Sequence, residues 1–148
     1  MHAGRADLRP CVSVQATVLD LFAALSKAHD LAYMFISHDL SVVRLFSQRI
    51  AVMYLGRIVE TGETGQIFAR PKHPYTQSLL AAVPQIGGRR VTDTFWLEGE
   101  PPSPDNLPPG CRFAPRCPRA DDLRRSDDPS SRALADGRLI ACHHASDD

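Results

Sequence analysis

Apolar residues between positions 14 and 25 recur at helical spacing. Val14, Val18, Leu21, Phe22 and Leu25 stand at i, i+4, i+7, i+8 and i+11, which is one face of a helix. Ser13 is placed to cap its start, and Lys27, Ala28 and His29 bring it to an end before Asp30. Residues 31–36 then form a nearly continuous apolar run. Strands buried on both faces read this way, which suits a parallel sheet. Asp39 opens a short helix carrying Leu40, Val43 and Phe46. Ile50 to Tyr54 reads as a second buried strand, Leu55-Gly56 as a turn, and Arg57 to Glu60 as the returning partner. Gly62 ends that strand. Thr64 to Ala69 supplies one or two helical turns stopped by Pro71. Thr76 to Val83 reads as a further helix with Leu79 and Leu80 on it.

The pattern changes near Pro84. Eight of the twelve prolines fall between Pro101 and Pro129. Proline fixes φ and removes a donor, so long helices and central strands are excluded there. The chain therefore divides into three parts: residues 1–11 without periodicity, an α/β segment over 12–84, and a loop-rich extension over 85–148. Such an extension cannot build a large core alone and calls for a metal or a partner to hold it.

Charge narrows the picture by exclusion. Seventeen basic residues balance seventeen acidic ones, so no net field favours nucleic acid or an anionic membrane. The apolar runs fall far short of the roughly 18 residues of a membrane span. Met1 to Asp7 lacks the apolar core of a signal peptide. A cytoplasmic chain is the expectation, and with it cysteines outside a disulfide framework.

Candidate chemistry sits at the end of the first apolar run. Ser37-His38-Asp39 follows Phe35-Ile36, and ligands of open α/β sheets bind at the carboxyl ends of strands. Being adjacent in sequence, these three do not form a hydrolase triad by themselves. On the residues alone, His38 is either a ligand contact or a solvated strand-end histidine. His73-Pro74-Tyr75-Thr76 reads as structural: Pro74 suits a first helical turn, Tyr75 packs and Thr76 caps. Trp96, after Phe95, reads as an anchor for the extension. The alternating pairs Asp121-Asp122, Arg124-Arg125 and Asp127-Asp128 read as a solvated face.

Several segments together carry a family resemblance. These are Val12-Ser13-Val14-Gln15, then Phe35-Ile36-Ser37-His38-Asp39-Leu40, then Val52 through Glu60, then His73-Pro74-Tyr75-Thr76. Gly99 through Pro104 and Gly110 through Pro118 continue the series. In this order and spacing, residues 12–142 resemble the carboxy-terminal part of the ATP-binding subunits of oligopeptide, dipeptide and nickel ABC importers. The resemblance implies an α/β fold, the carboxy-terminal part of a P-loop ABC ATPase domain followed by a small, proline-rich, irregular extension. It implies ATP and Mg as ligands of the parent protein. It also implies that His38 is the switch histidine, contacting the γ-phosphate and setting the attacking water. The partners implied are a second ATP-binding subunit and membrane permease subunits, with the assembly at the inner face of the cell membrane.

Relatives of this type carry four cysteines thought to hold a four-iron four-sulfur cluster. Here Cys111, Cys117 and Cys142 match, while Arg124 stands at the third position. Arginine offers no lone pair to iron or zinc. Three thiolates with His143 or His144 would still satisfy tetrahedral zinc, and a three-cysteine cluster with an outside ligand is a further reading. The remaining alternative is reduced, metal-free cysteines.

The 148 residues hold no Gly-rich loop ending in Gly-Lys-Ser/Thr, which in the family holds the β- and γ-phosphates. The signature motif and the glutamine loop are also missing. By register, Gly4 stands at the family's magnesium-binding aspartate, Arg5 at its catalytic glutamate and Cys11 at its dimer-contact aspartate. An arginine stays protonated and cannot act as a general base. The expectation is a truncated or frameshifted ATP-binding component of a peptide import system, inactive as an ATPase alone. The alternative is a small metal-binding or regulatory protein that keeps only the cysteine-bearing extension.

Overall fold

The structure, a computed structural model, describes residues 12–83 and 100–145. Gly4, Arg5, Cys11, Phe95 and Trp96 lie outside the described residues. The chain forms two compact units, residues 1–38 and 39–148.

The first unit is built on helix α1, Val12–His29. The predicted helix is present, but it begins before Ser13, which lies within the first turn. Its end follows a left-handed C-terminal motif. Asp30 takes φ 52°, and the Leu31 N–H reaches back to the Ser26 carbonyl at 3.1 Å. Asp tolerates this conformation better than most residues because its short polar side chain bonds locally. Lys27 and His29 lie in the last turn, where positive charge suits the helix dipole. Phe22 and Tyr33 pack with ring centroids 5.6 Å apart.

Residues 31–36 do not form the expected buried strand. They are without regular structure, and Met34 and Ile36 are 94% and 98% exposed. A strand exists only as a member of a ladder, and among the described residues none pairs with this run. The apolar composition specifies burial, but hydrogen bonding decides whether a strand forms.

The second unit follows the predicted order more closely. Helix α2 spans Leu40–Phe46, with Asp39 as N-cap accepting from the backbone of Ser41 and Val42. Strands β1, Arg49–Tyr54, and β2, Arg57–Glu63, form an antiparallel hairpin. Leu55 and Gly56 take φ 45° and 75°, the two left-handed positions of the tight turn that matches strand twist. A bulge interrupts the register between Val52 and Met53. Helix α3 runs over Thr64–Ala69 and α4 over Pro74–Ala81.

The extension is not wholly irregular. Helix α5 covers Asp122–Ser126, and two short strands, β3 (Arg132–Ala133) and β4 (Leu139–Ile140), join the hairpin. The sheet order is β1-β2-β4-β3. All its pairings are antiparallel, unlike the parallel arrangement expected from the run at 31–36. Ile140 stands opposite both Glu60 and Arg132 and is fully buried.

The core crosses the sequence change near residue 84. Val52, Tyr54 and Val59 of the hairpin pack with Cys111, Phe113 and Ala114 of the extension, flanked by Tyr75 and Leu79. The Tyr54 and Phe113 rings meet edge-on at 5.2 Å, an arrangement favoured by aromatic quadrupoles. Tyr75 lies 4.6 Å from Tyr54 and 5.7 Å from Phe113, so its predicted packing role is observed. No helix among the described residues is long and apolar enough to cross a membrane.

Candidate functional site

His38 is exposed at a bend following the unpaired run 31–37. Its neighbour Asp39 serves as the cap of α2, with Oδ1 2.9 Å from the Ser41 nitrogen. The polar triplet therefore divides its labour: Asp39 is structural and His38 is left available.

Cys111, Cys117 and Cys142 lie in the second unit. The backbone holds Cys111 against α5: its N–H donates to the Arg124 carbonyl at 2.8 Å. Gly110 makes that approach feasible, since a Cβ there would fall 2.4 Å from the Arg124 carbonyl oxygen. Burial pushes the Cys111 thiol above its ordinary pKa. The Phe113 backbone N–H opposes that shift, while the neighbouring Cys142 and Cys117 reinforce it. The Cys111 thiol is thus within electrostatic reach of the other two.

Arg124 comes to the same place. It is 1% exposed, not part of a solvated face as its charge pattern suggests. Its Nη1 donates to Cys117 Sγ at 3.1 Å and also to the Arg119 carbonyl. Asp121 caps α5 by accepting the Arg124 backbone N–H. That hydrogen bond is the first cause holding the Asp121 carboxyl below its usual range.

The two histidines turn elsewhere. His143 Nε2 lies 3.0 Å from the Asp127 carbonyl oxygen, and His144 Nε2 lies 2.5 Å from Asp121 Oδ2. Among the described residues no three Cys, His, Asp or Glu side chains are grouped to hold a metal ion. The donor set does not fit a four-ligand centre, because the buried Arg124 guanidinium lies against the Cys117 sulfur.

A second cluster escaped the sequence reading. Glu60 on β2 is fully buried. Its carboxylate accepts the backbone N–H groups of Lys72 (2.9 Å) and His73 (3.0 Å), and Arg138 approaches it at 3.3 Å. Arg138 Nη1 also donates to the Arg70 carbonyl at 2.5 Å. His73 is the N-cap of α4, accepting the Tyr75 N–H on Nδ1 at 3.1 Å. This is the role that the sequence assigns to Thr76. Pro74 does sit in the first turn, as expected. Burial and then the Arg124 charge push the His73 pKa down from 6.5 to about 4. The missed signal is the acidic residue closing the apolar run Arg57-Ile58-Val59-Glu60: at a strand end it reads as solvent-facing.

Residues 59–123 match the family described as oligopeptide/dipeptide transporter, C-terminal region. That match covers β2 through the Cys111–Cys117 loop to α5. The chain is 50% identical over 132 residues to a probable peptide ABC transporter ATP-binding protein of Sinorhizobium fredii, covering 89% of this chain and 37% of that protein. It is 48% identical over 133 residues to the dipeptide transport ATP-binding protein DppF of Haemophilus influenzae, covering 90% and 41%. It is 42% identical over 131 residues to the oligopeptide transport ATP-binding protein AppD of Bacillus subtilis, covering 88% and 40%. Over nearly nine tenths of its length the chain is similar to ATP-binding proteins of peptide ABC transporters, and residues 59–123 match the C-terminal region of oligopeptide/dipeptide transporters. It spans about two fifths of the length of the curated relatives it matches.

Proposed function

We propose that this chain is the carboxy-terminal part of an ATP-binding component of a peptide ABC importer, the part that carries the switch histidine and the subfamily extension. One observation carries the reading. Identity of 42–50% runs over nearly nine tenths of the chain, through both His38 and the cysteine-bearing loop. In this role His38 hydrogen-bonds the γ-phosphate of ATP. A hydrogen bond of this charge-assisted kind is worth about 1.5–3 kcal/mol. The remaining parts of the nucleotide site, with Mg, come from sequence outside these 148 residues. A second ATP-binding subunit and the membrane permeases complete an assembly at the cytoplasmic face.

A chimera tests this. Residues 12–145 replace the matching segment of the Haemophilus influenzae relative, and dipeptide uptake and ATPase activity are measured in the assembled transporter. The chimera is expected to import, and His38→Ala within it to abolish hydrolysis while leaving assembly intact. An assembled chimera that His38→Ala leaves fully active would remove the switch role.

A further inference from the structure

We propose that the Arg124 guanidinium is the resident cation of the Cys111–Cys117–Cys142 cluster, standing where a metal ion would cross-link the thiols and closing the cluster to metal. This goes beyond the transporter reading and does not depend on it.

The geometry has three parts. First, the guanidinium is buried against one of the cysteines: Arg124 is 1% exposed, and Nη1 lies 3.1 Å from Cys117 Sγ. Secondly, among the described residues no ion pair joins its guanidinium to a carboxylate. Asp121 accepts the backbone N–H of Arg124 and lies 2.5 Å from the His144 ring nitrogen, so the Arg124 charge reaches it only as a secondary influence. Nε and Nη2 are buried without a hydrogen-bond partner. A buried unpaired cation is tolerated only where polarisable or acceptor groups surround it. Here those are the sulfur of Cys117 and the Arg119 carbonyl. Thirdly, the position is fixed from both ends. Asp121 caps the helix below Arg124, and the Arg124 carbonyl holds the Cys111 N–H.

A metal ion and this guanidinium compete for one place. Both are cations, and like charges at close range in a water-poor site repel strongly. The guanidinium therefore takes over the cross-linking part of a metal's role. The loop at 110–117 is joined to α5 through it, and folding of the extension does not require a metal. The cluster remains a latent metal site, one substitution from opening.

The test uses the full 148-residue chain, purified and reduced under anaerobic conditions. It is titrated with cobalt(II), followed by the thiolate-to-cobalt charge-transfer absorption, and its zinc content is measured by mass spectrometry. The unmodified chain is expected to show no charge-transfer band and no stoichiometric zinc, with a thermal transition that a chelator does not move. Arg124→Cys is expected to bind one metal per chain, with at least about a hundredfold gain in affinity, the upper end of what even a ligand's supporting partner contributes. Its thermal transition becomes chelator-sensitive. Arg124→Met removes the charge without adding a ligand, and is expected to lower the transition without gaining metal. A charge-transfer band in the unmodified chain would overturn the proposal, and so would a folded Arg124→Cys chain that takes up no metal. The first of these outcomes needs no variant, so the proposal stays testable if a substituted chain fails to fold.

Discussion

Arg138 and Glu60, 78 positions apart, meet in the interior at 3.3 Å with both side chains almost wholly out of solvent. The pair joins the last strand of the extension to the hairpin. Arg138 passes directly over Gly62, where a Cβ would fall 2.5 Å from its Cγ. Glu60 in turn holds the backbone entering α4. One carboxylate therefore fixes three segments.

Glu60→Ala is expected to destabilise the second unit strongly. It leaves two backbone donors unmatched and removes the buried one of the two carboxylates on Arg138, the other being Asp136 at 2.6 Å; breaking a buried pair of this kind costs up to about 3–5 kcal/mol. Pairing it with Arg138→Met should cost less than the two single changes added together, because the two residues share one interaction. Urea denaturation of the two single variants and the double variant measures the coupling. A loss under about 1 kcal/mol for Glu60→Ala, within the range of an exposed pair, would show that the interaction is solvated.

How much of this was legible in the sequence differs by element. The hairpin was readable because its signals are local: two apolar runs and a Leu55-Gly56 turn that fixes the register. The caps at Asp39 and the first turn at Pro74 were readable for the same reason. The buried ion pair was not, since Glu60 and Arg138 are partnered only by the fold. Arg124 misled for a related reason. In a run of alternating charges it reads as solvent-facing, but the α5 cap and Gly110 turn it inward. The run 31–36 reads as a strand because apolar composition reports burial, while strand formation depends on a neighbour that local sequence does not reveal.

His73 makes stability depend on pH. Its pKa falls from 6.5 to about 4 in the folded chain, so the unfolded state binds the proton more readily. The contribution is fully present above pH 6.5, declines as the pH falls, and is lost by about pH 4. Its size is about 3 kcal/mol at one pKa unit per 1.36 kcal/mol. His73→Asn keeps a side-chain acceptor for the α4 cap but does not titrate. Urea midpoints measured between these limits should fall less steeply with acid in the variant. Parallel slopes in the two proteins would exclude His73 as the titrating group.

The exposed run in the first unit should bind apolar probes. Met34 and Ile36 are almost fully exposed, and Leu31, Tyr33 and Phe35 are also open to solvent. Large contiguous apolar surface of this kind marks an interaction site or an aggregation liability. Fluorescence of an anilinonaphthalene dye should be high in the purified chain. Met34→Lys with Ile36→Lys should reduce it severalfold, with little loss of thermal stability because neither side chain packs. Unchanged fluorescence in the double variant would place the dye site elsewhere.

The 148-residue chain alone should not hydrolyse ATP above background. Phosphoryl transfer is catalysed almost entirely by positioning and electrostatics: backbone donors and a lysine on the phosphates, a carboxylate on the metal, and a residue orienting the nucleophile. This sequence contains no Gly-Lys-Ser/Thr phosphate loop, and His38, exposed at a bend, supplies only one contact of that set. A single hydrogen bond of about 1.5–3 kcal/mol accounts for one or two powers of ten in rate, against the many that the whole constellation provides. Phosphate release from the purified chain should therefore match that of a His38→Ala control. Activity in the unmodified chain that His38→Ala abolishes would mean that these residues assemble a nucleotide site on their own.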